Sequence, residues 1–385
     1  MPGSVEKITK KRPPLFLLAP QMYGSWGGVQ TYMRRLREIL CSYSDLHQSN
    51  CLSISLVDAS EQAELHAYPV TRQRFRYCSG SKFAFIKESL LAVSANRGGF
   101  AVVGHLGLAP IALLLRQAGL IRGYMLILHG MEAWERVSWL KRKAASGADA
   151  IVATTRFTGL EFARANGLPE ERLCVIALAL AEDETLPLES AKITNNFVLL
   201  AVSRLSTPDQ YKGIDTVIRA VSLLVRDGMP VTLRIVGSGD DQLRLRRIAH
   251  ELGVEDRVEF LGPVEQHDLA SQYAGCDVFT LPSAKEGFGI VFLEAMRHAK
   301  PCIGARHGGI PEVIDDGVDG YLVDYGDSAQ VAARIRELWQ NPERTRAMGL
   351  AAQQKISSRY RFRHMQHQWF HLLDETAEIN RTCAE

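Results

Sequence analysis

"FAVVGHLGLAPIALLLRQAGLIRGYMLILHG", residues 100–130, is the longest greasy region of the chain, and its reading decides the fold. A membrane-spanning helix needs roughly 20 consecutive apolar residues. His105, Arg116 and Arg122 interrupt this run, so it fails as a span. It reads instead as strand, helix, strand: "FAVVG" (100–104), a helical stretch, then "YMLILH" (124–129). Two apolar strands joined by a helix form the repeating unit of a parallel sheet.

The same alternation extends in both directions. Before it lie "LFLLA" (15–19), a helix from Val29 to about Cys41, and "CLSISLV" (51–57). After it come "AIVATT" (150–155), a helix from Phe157 to about Asn166, and "RLCVIAL" (172–178). A second series follows: "FVLLAVS" (197–203), "VTLRIVG" (231–237), "VEFLG" (258–262), "DVFTL" (277–281) and "PCIGA" (301–305). Continuous apolar strands separated by helices imply parallel sheets covered on both faces. At 385 residues the chain is comfortable as two domains. The expected fold class is α/β, with two Rossmann-like doubly wound domains facing a cleft. The polar, acidic stretch "AEDETLPLESAKITNN" (181–196) is the natural break. The expected domains are 1–190, 191–360 and a helical tail, 361–385.

Composition narrows the class. The chain is 46% hydrophobic and 23% charged, the balance of a soluble globular protein. A net charge of +2 makes no case for nucleic-acid binding. The halves differ: residues 1–192 carry +6 and residues 193–385 carry −4. A basic first half suits an anionic membrane surface or acidic partner, and equally an ordinary solvated surface. The seven dispersed cysteines, with no Cys-x-x-Cys pair, point to a reducing compartment and away from zinc. "LFLLA" is too short for a signal-peptide core, so a cytoplasmic location is expected.

Chemistry-bearing residues fall where strands end. "MYGSWGGVQTYMRRL" (22–36) follows the first strand and opens a helix. Gly24, Gly27 and Gly28 permit close backbone approach, and helix N–H groups point at whatever sits there. The same stretch also reads as a plain tight turn. "AVSRLSTPDQYKGIDTVIRA" (201–220) brackets a loop with Arg204 and Lys212, two cations suited to a diphosphate. "RIVGSGDDQ" (234–242) begins like a dinucleotide fingerprint, but Gln242 stands where the third glycine belongs, so a nicotinamide cofactor is disfavoured. "KEGFGIVFLEAM" (285–296) puts Glu286 in a loop and Glu294 a little over one turn inside a helix. The two carboxylates can address different parts of one extended ligand, with the helix N-terminus facing its anionic middle. "MLILHGMEAW" (125–134) ends a buried strand with His129, placed for a polar contact or for a structural one. No Asp-x-Asp metal motif is evident.

Four of these segments, in this order, resemble the retaining family-4 glycosyltransferases, which have the GT-B fold. They are Gly-Gly-Val-Gln (27–30), Arg…Lys-Gly (204…212-213), Glu-Gly-Phe-Gly…Glu (286–294) and Gly-Gly-Ile-Pro-Glu (308–312). The resemblance covers nearly the whole chain and is strongest from Phe197 to about Val323. It implies a hexosyl transfer with retention from a nucleotide diphosphate sugar, GDP- or UDP-linked, to an acceptor hydroxyl. No metal and no cofactor beyond the donor substrate are implied. Glu286 would hold donor-sugar hydroxyls and Glu294 the ribose. Arg204 and Lys212 would bind the diphosphate and stabilise it on departure. Backbone amides of Phe288, Gly289, Ile290 and Val291 would meet sugar and phosphate, with Gly27 and Gly28 approaching from the first domain. His129 would lie near the reacting sugar, and Val264 where the base is held. Tyr211 stands where Glu is common, and the loop from Arg204 to Lys212 is longer than in many members.

"HGMEAW" and "YKG" resemble members that build exopolysaccharide and lipopolysaccharide. The expected acceptor is therefore a saccharide or a lipid-linked saccharide, met at the inner face of the cytoplasmic membrane. "WLKRKAA" (139–145) and "RQRFR" (72–76) are the candidate docking segments. "YMRRLREIL" (32–40) mixes cationic and apolar positions but reads better as a helix packed on its own sheet. A sugar-nucleotide epimerase or phosphorylase of the same fold, and a non-catalytic nucleotide-sugar binder, remain as alternatives.

Overall fold

The computed structural model describes residues 12–24, 27–59, 73–180 and 196–382. The lead before Arg12, the break read at 181–195, Arg72 and Cys383 lie outside them. The chain divides into two compact units, Met1–Ala179 with Phe362–Glu385, and Leu180–Arg361.

In the first unit, β1 (Leu15–Ala19), β2 (Cys51–Ser55), β3 (Gln73–Tyr77), β4 (Gly99–Val103), β5 (Ile121–Leu128), β6 (Ala150–Ala153) and β7 (Leu173–Val175) form one sheet. The order is β3-β2-β1-β4-β5-β6-β7, and every pairing is parallel. β1 is central: Leu15 pairs with Cys51 on one side and Phe100 on the other. All five of its residues are buried, as expected where helices cover both faces. The stretch 100–130 is strand β4, the helix Ala109–Gln117 and strand β5. β5 starts at Ile121, earlier than its apolar run predicts, because Ile121 is buried although Arg122 beside it is exposed.

In the second unit, β8 (Phe197–Val202), β9 (Val231–Val236), β10 (Val258–Gly262), β11 (Val278–Leu281), β12 (Cys302–Ala305) and β13 (Gly320–Val323) form the other sheet. Its order is β10-β9-β8-β11-β12-β13, again parallel. Numbered within the unit this is 3-2-1-4-5-6, the doubly wound order of nucleotide-binding folds. A buried ion pair braces its far side: Lys355, 7% exposed, meets Asp319 at 2.5 Å and donates to the Val313 carbonyl at 2.8 Å.

The helix Phe362–Thr382 belongs to the first unit and packs on the helix Gly28–Leu46. Asp374 accepts from Tyr43 Oη at 2.7 Å and Arg12 Nη2 at 2.6 Å, and Phe370 meets Tyr43 edge-on at 5.2 Å. Trp369 is fully buried. Within the Gly28–Leu46 helix Tyr32, Met33, Leu36, Ile39 and Leu40 are buried, so "YMRRLREIL" is a packed amphipathic helix.

Candidate active site

Doubly wound sheets leave a crevice where the strand order reverses, beyond the carboxyl ends of the two central strands. In the second unit those strands are β8 and β11. Lys212 follows β8 and Glu286 follows β11. The structure brings them together: Lys212 Nζ donates to Glu286 Oε2, and both side chains are 16% exposed. Backbone bonds hold the two loops in register. Ala284 N donates to the Tyr211 carbonyl at 2.8 Å, and Gly309 N to the Glu286 carbonyl at 2.8 Å. The second bond brings the Gly-Gly-Ile-Pro-Glu loop to the same edge. Gly213 makes the approach possible. Its φ is +74°, and a Cβ there would lie 2.6 Å from the Pro282 carbonyl oxygen.

The turn of 3-10 helix Thr207–Lys212 fills the longer loop. Asp209, buried, is its hub, accepting from Arg204 Nη2 at 3.1 Å and from Tyr211 Oη at 3.0 Å. The Tyr211 ring lies under Lys212 Nζ, 5.4 Å from its centre. Tyr211 thus supports Lys212 from beneath. Arg204 is not beside Glu286. It is paired with Asp209, with its side chain 76% exposed.

The helix Ile290–Arg297 starts at Gly289, whose φ is +85° and whose missing Cβ would sit 2.6 Å from the Phe292 ring. No side chain caps this helix, so its first N–H groups keep their attraction for an anion. The Phe288 side chain is buried against Tyr360, edge-on at 5.9 Å, which anchors the loop while Phe288, Gly289, Ile290 and Val291 offer backbone. Glu294, half-buried, accepts from Tyr273 Oη at 2.8 Å. Val264 follows β10 at the same end of the sheet.

In the first unit the reversal lies between β1 and β4. Gly27 caps the helix Gly28–Leu46, again without a capping side chain. The preceding loop is pinned by Asp58, which no sequence motif singles out. Fully buried, it accepts from the backbone N–H of Met22 at 2.7 Å, Tyr23 at 3.0 Å and Gly24 at 2.9 Å. Ser55 Oγ adds a fourth bond at 2.7 Å. His129, at the end of β5, is buried, and its Nε2 lies 2.9 Å from the Gly104 carbonyl at the end of β4. A carbonyl only accepts, so Nε2 carries the proton. Burial lowers the His129 pKa against the opposing pull of Glu132, so the ring is neutral near pH 7.

Of the docking segments, Trp139 and Leu140 are exposed at 71% and 45%, with Lys143 Nζ 5.2 Å from the Trp139 ring centre. Gln73–Tyr77 is the edge strand β3. No helix among the described residues is long and apolar enough to cross a membrane. No group of three or more His, Cys, Asp or Glu among them could hold a metal ion.

Two doubly wound units of this topology define the GT-B class of architecture. Within it, the chain belongs to the family described as "Glycosyl transferases group 1", which matches residues 183–355. Anabaena HepE in complex with UDP shares the fold, with a TM-score of 0.77 over 94% of this chain and 100% of that one at 23% identity. The chain is 32% identical to the GDP-mannose-dependent alpha-(1-6)-phosphatidylinositol monomannoside mannosyltransferase of Mycolicibacterium smegmatis, over 63% of this chain and 68% of the relative. It is 39% identical to the N-acetyl-alpha-D-glucosaminyl L-malate synthase of Bacillus anthracis, over 39% of each.

Proposed function

We propose that this protein is a retaining family-4 hexosyltransferase that moves a hexosyl group from a GDP- or UDP-sugar to an acceptor hydroxyl. The acceptor is a saccharide, lipid-linked, met at the cytoplasmic face of a membrane in exopolysaccharide or lipopolysaccharide assembly. The observation that carries the reading is the Lys212–Glu286 pair at the reversal of the second sheet, beside an uncapped helix N-terminus. An anion and a polyol are the ligand such a pair fits. The relative from M. smegmatis is named for a GDP-sugar donor and a phosphatidylinositol-linked acceptor, which supports both halves of the assignment.

The roles follow from charge and reach. An ammonium has three donors. One engages Glu286, and the others serve the departing diphosphate together with Arg204 and the amides of Phe288–Val291. Glu286, hydrogen-bonded by Lys212, is a poor nucleophile and a good clamp for sugar hydroxyls. The acceptor oxygen attacks C1 on the face the phosphate leaves, as the C1–O bond breaks. Its proton passes to the leaving phosphate oxygen. Negative charge grows on that oxygen, and stabilising it is where such a site gains most of its rate. Glu294 accepts from the ribose and Val264 borders the base. Fixed cations and helix amides supply the positive charge, so no metal is needed.

A thermal-shift and hydrolysis panel of UDP-, GDP- and ADP-sugars tests the reading. A single stabilising, slowly hydrolysed donor is expected, with EDTA leaving turnover intact. Loss of activity in EDTA with recovery on Mn²⁺ would overturn the metal-free mechanism. Turnover of the nucleotide sugar to an isomer without any acceptor would indicate an epimerase.

A further inference from the structure

The second unit contains a buried phenol that the proposed reaction does not use. Tyr273, 2% exposed, lies at the end of the helix Gln266–Ala274. Its ring stacks on His298, with centres 5.8 Å apart and planes 22° apart, and tilts against Phe279 at 5.8 Å. Its hydroxyl reaches across to the neighbouring helix and donates to Glu294 Oε2 at 2.8 Å.

The polarity of this bond is fixed. Burial, and then the Glu294 charge, raise the Tyr273 pKa well above its ordinary value, so the phenol keeps its proton at any working pH. The carboxylate is therefore always the acceptor. A glutamate on a helix surface otherwise samples several rotamers. Here one oxygen is held, and the plane of the carboxylate with it. Recognition of adjacent hydroxyls depends on that plane, because two donors must meet the two oxygens at once.

We infer that Tyr273 is a positioning residue for Glu294, and that selection of ribose over deoxyribose resides in the Tyr273–Glu294 pair. This rests on the reading that Glu294 meets the donor ribose. Tyr273 does not touch the ligand; it sets the angle at which Glu294 does.

The test is calorimetric titration of the full chain with UDP and GDP and their 2′-deoxy and 3′-deoxy analogues. Wild type, Tyr273→Phe, Glu294→Gln and the double variant are compared. Phenylalanine keeps the ring packing and removes only the hydroxyl. The wild type should prefer the ribonucleotide about 10-fold, the effect of one charge-assisted hydrogen bond. In Tyr273→Phe the deoxy affinities should be unchanged and the preference should fall to about 2-fold or less. Adding Tyr273→Phe to Glu294→Gln should change nothing further, as two residues acting through one contact require.

A Tyr273→Phe protein that keeps the wild-type preference overturns the inference and leaves the ribose role of Glu294 standing. Equal weakening of ribo and deoxy forms also overturns it, since that marks a general packing role. A wild type that does not distinguish ribose from deoxyribose, or binds neither UDP nor GDP, removes the role of Glu294 and the inference with it.

Discussion

Lys212 and Glu286 meet although 74 positions separate them in the chain. Each is delivered by a central strand of the second sheet, and the contact spans the reversal of strand order. The pair therefore reports on the sheet's topology as well as on its own chemistry.

Replacing Lys212 by Ala removes the charge and leaves Glu286 facing the crevice alone. Turnover should fall by on the order of 10²–10³-fold. Initial-rate assays with the donor found in the panel, beside circular dichroism of the variant, check this. A folded variant with near-normal turnover would sink the role.

Arg204 separates charge from stability. Its side chain is 76% exposed, so the ion pair with Asp209 is worth no more than about 1 kcal/mol. Arg204→Ala should leave the urea midpoint almost unmoved and lower turnover by roughly 10²-fold. A large stability loss without a kinetic effect would make the arginine structural.

Gly213→Ala should act through the backbone. The φ of +74° and the 2.6 Å approach to Pro282 both oppose a side chain. A cost of about 1–3 kcal/mol is expected, measured by urea unfolding. Activity should fall with it, because the loop carrying Lys212 must shift away from Glu286.

His298 gives the acid limb of stability a cause. Burial first, then Arg297 and Lys300, lower its pKa from 6.5 to about 4. Between those values the unfolded chain binds the proton and the folded one resists it. The stability at stake is complete above pH 6.5 and is lost as pH falls toward 4. The urea midpoint should therefore drop between pH 7 and pH 5, and less steeply in His298→Gln. Parallel curves for the two proteins would remove His298 as the source.

Membrane attachment through Trp139 and its neighbours has a direct readout. Flotation with vesicles containing anionic lipid should recover the protein, and Trp139→Ser with Lys141→Glu should weaken recovery about 10-fold. Equal recovery on neutral vesicles would count against an electrostatic contribution.

Much of this fold is legible in sequence because buried parallel strands announce themselves. β1 and β10 occupy the very stretches, 15–19 and 258–262, that the apolar runs mark. β3 is hidden: Gln73–Tyr77 alternates arginine with aromatics, as an edge strand does, and reads as a basic patch. β13 is hidden too, since Gly320 opens it inside a turn-rich stretch; a Cβ there would lie 2.3 Å from the Cys302 carbonyl oxygen. The strand-end loops are legible from glycine and charge. Asp58, Asp209 and Tyr273 are not. Each matters through a bond to a partner that only tertiary packing supplies, and an isolated Asp or Tyr carries no signature of that.

The helix Phe362–Thr382 completes a unit whose other parts are encoded before residue 180. On the ribosome the first sheet can pair its strands early, but the side of the Gly28–Leu46 helix that receives Phe370 and Asp374 stays uncovered until the whole second unit has emerged. Vectorial synthesis thus leaves an apolar seam waiting on the nascent chain. The first unit made becomes the last one finished.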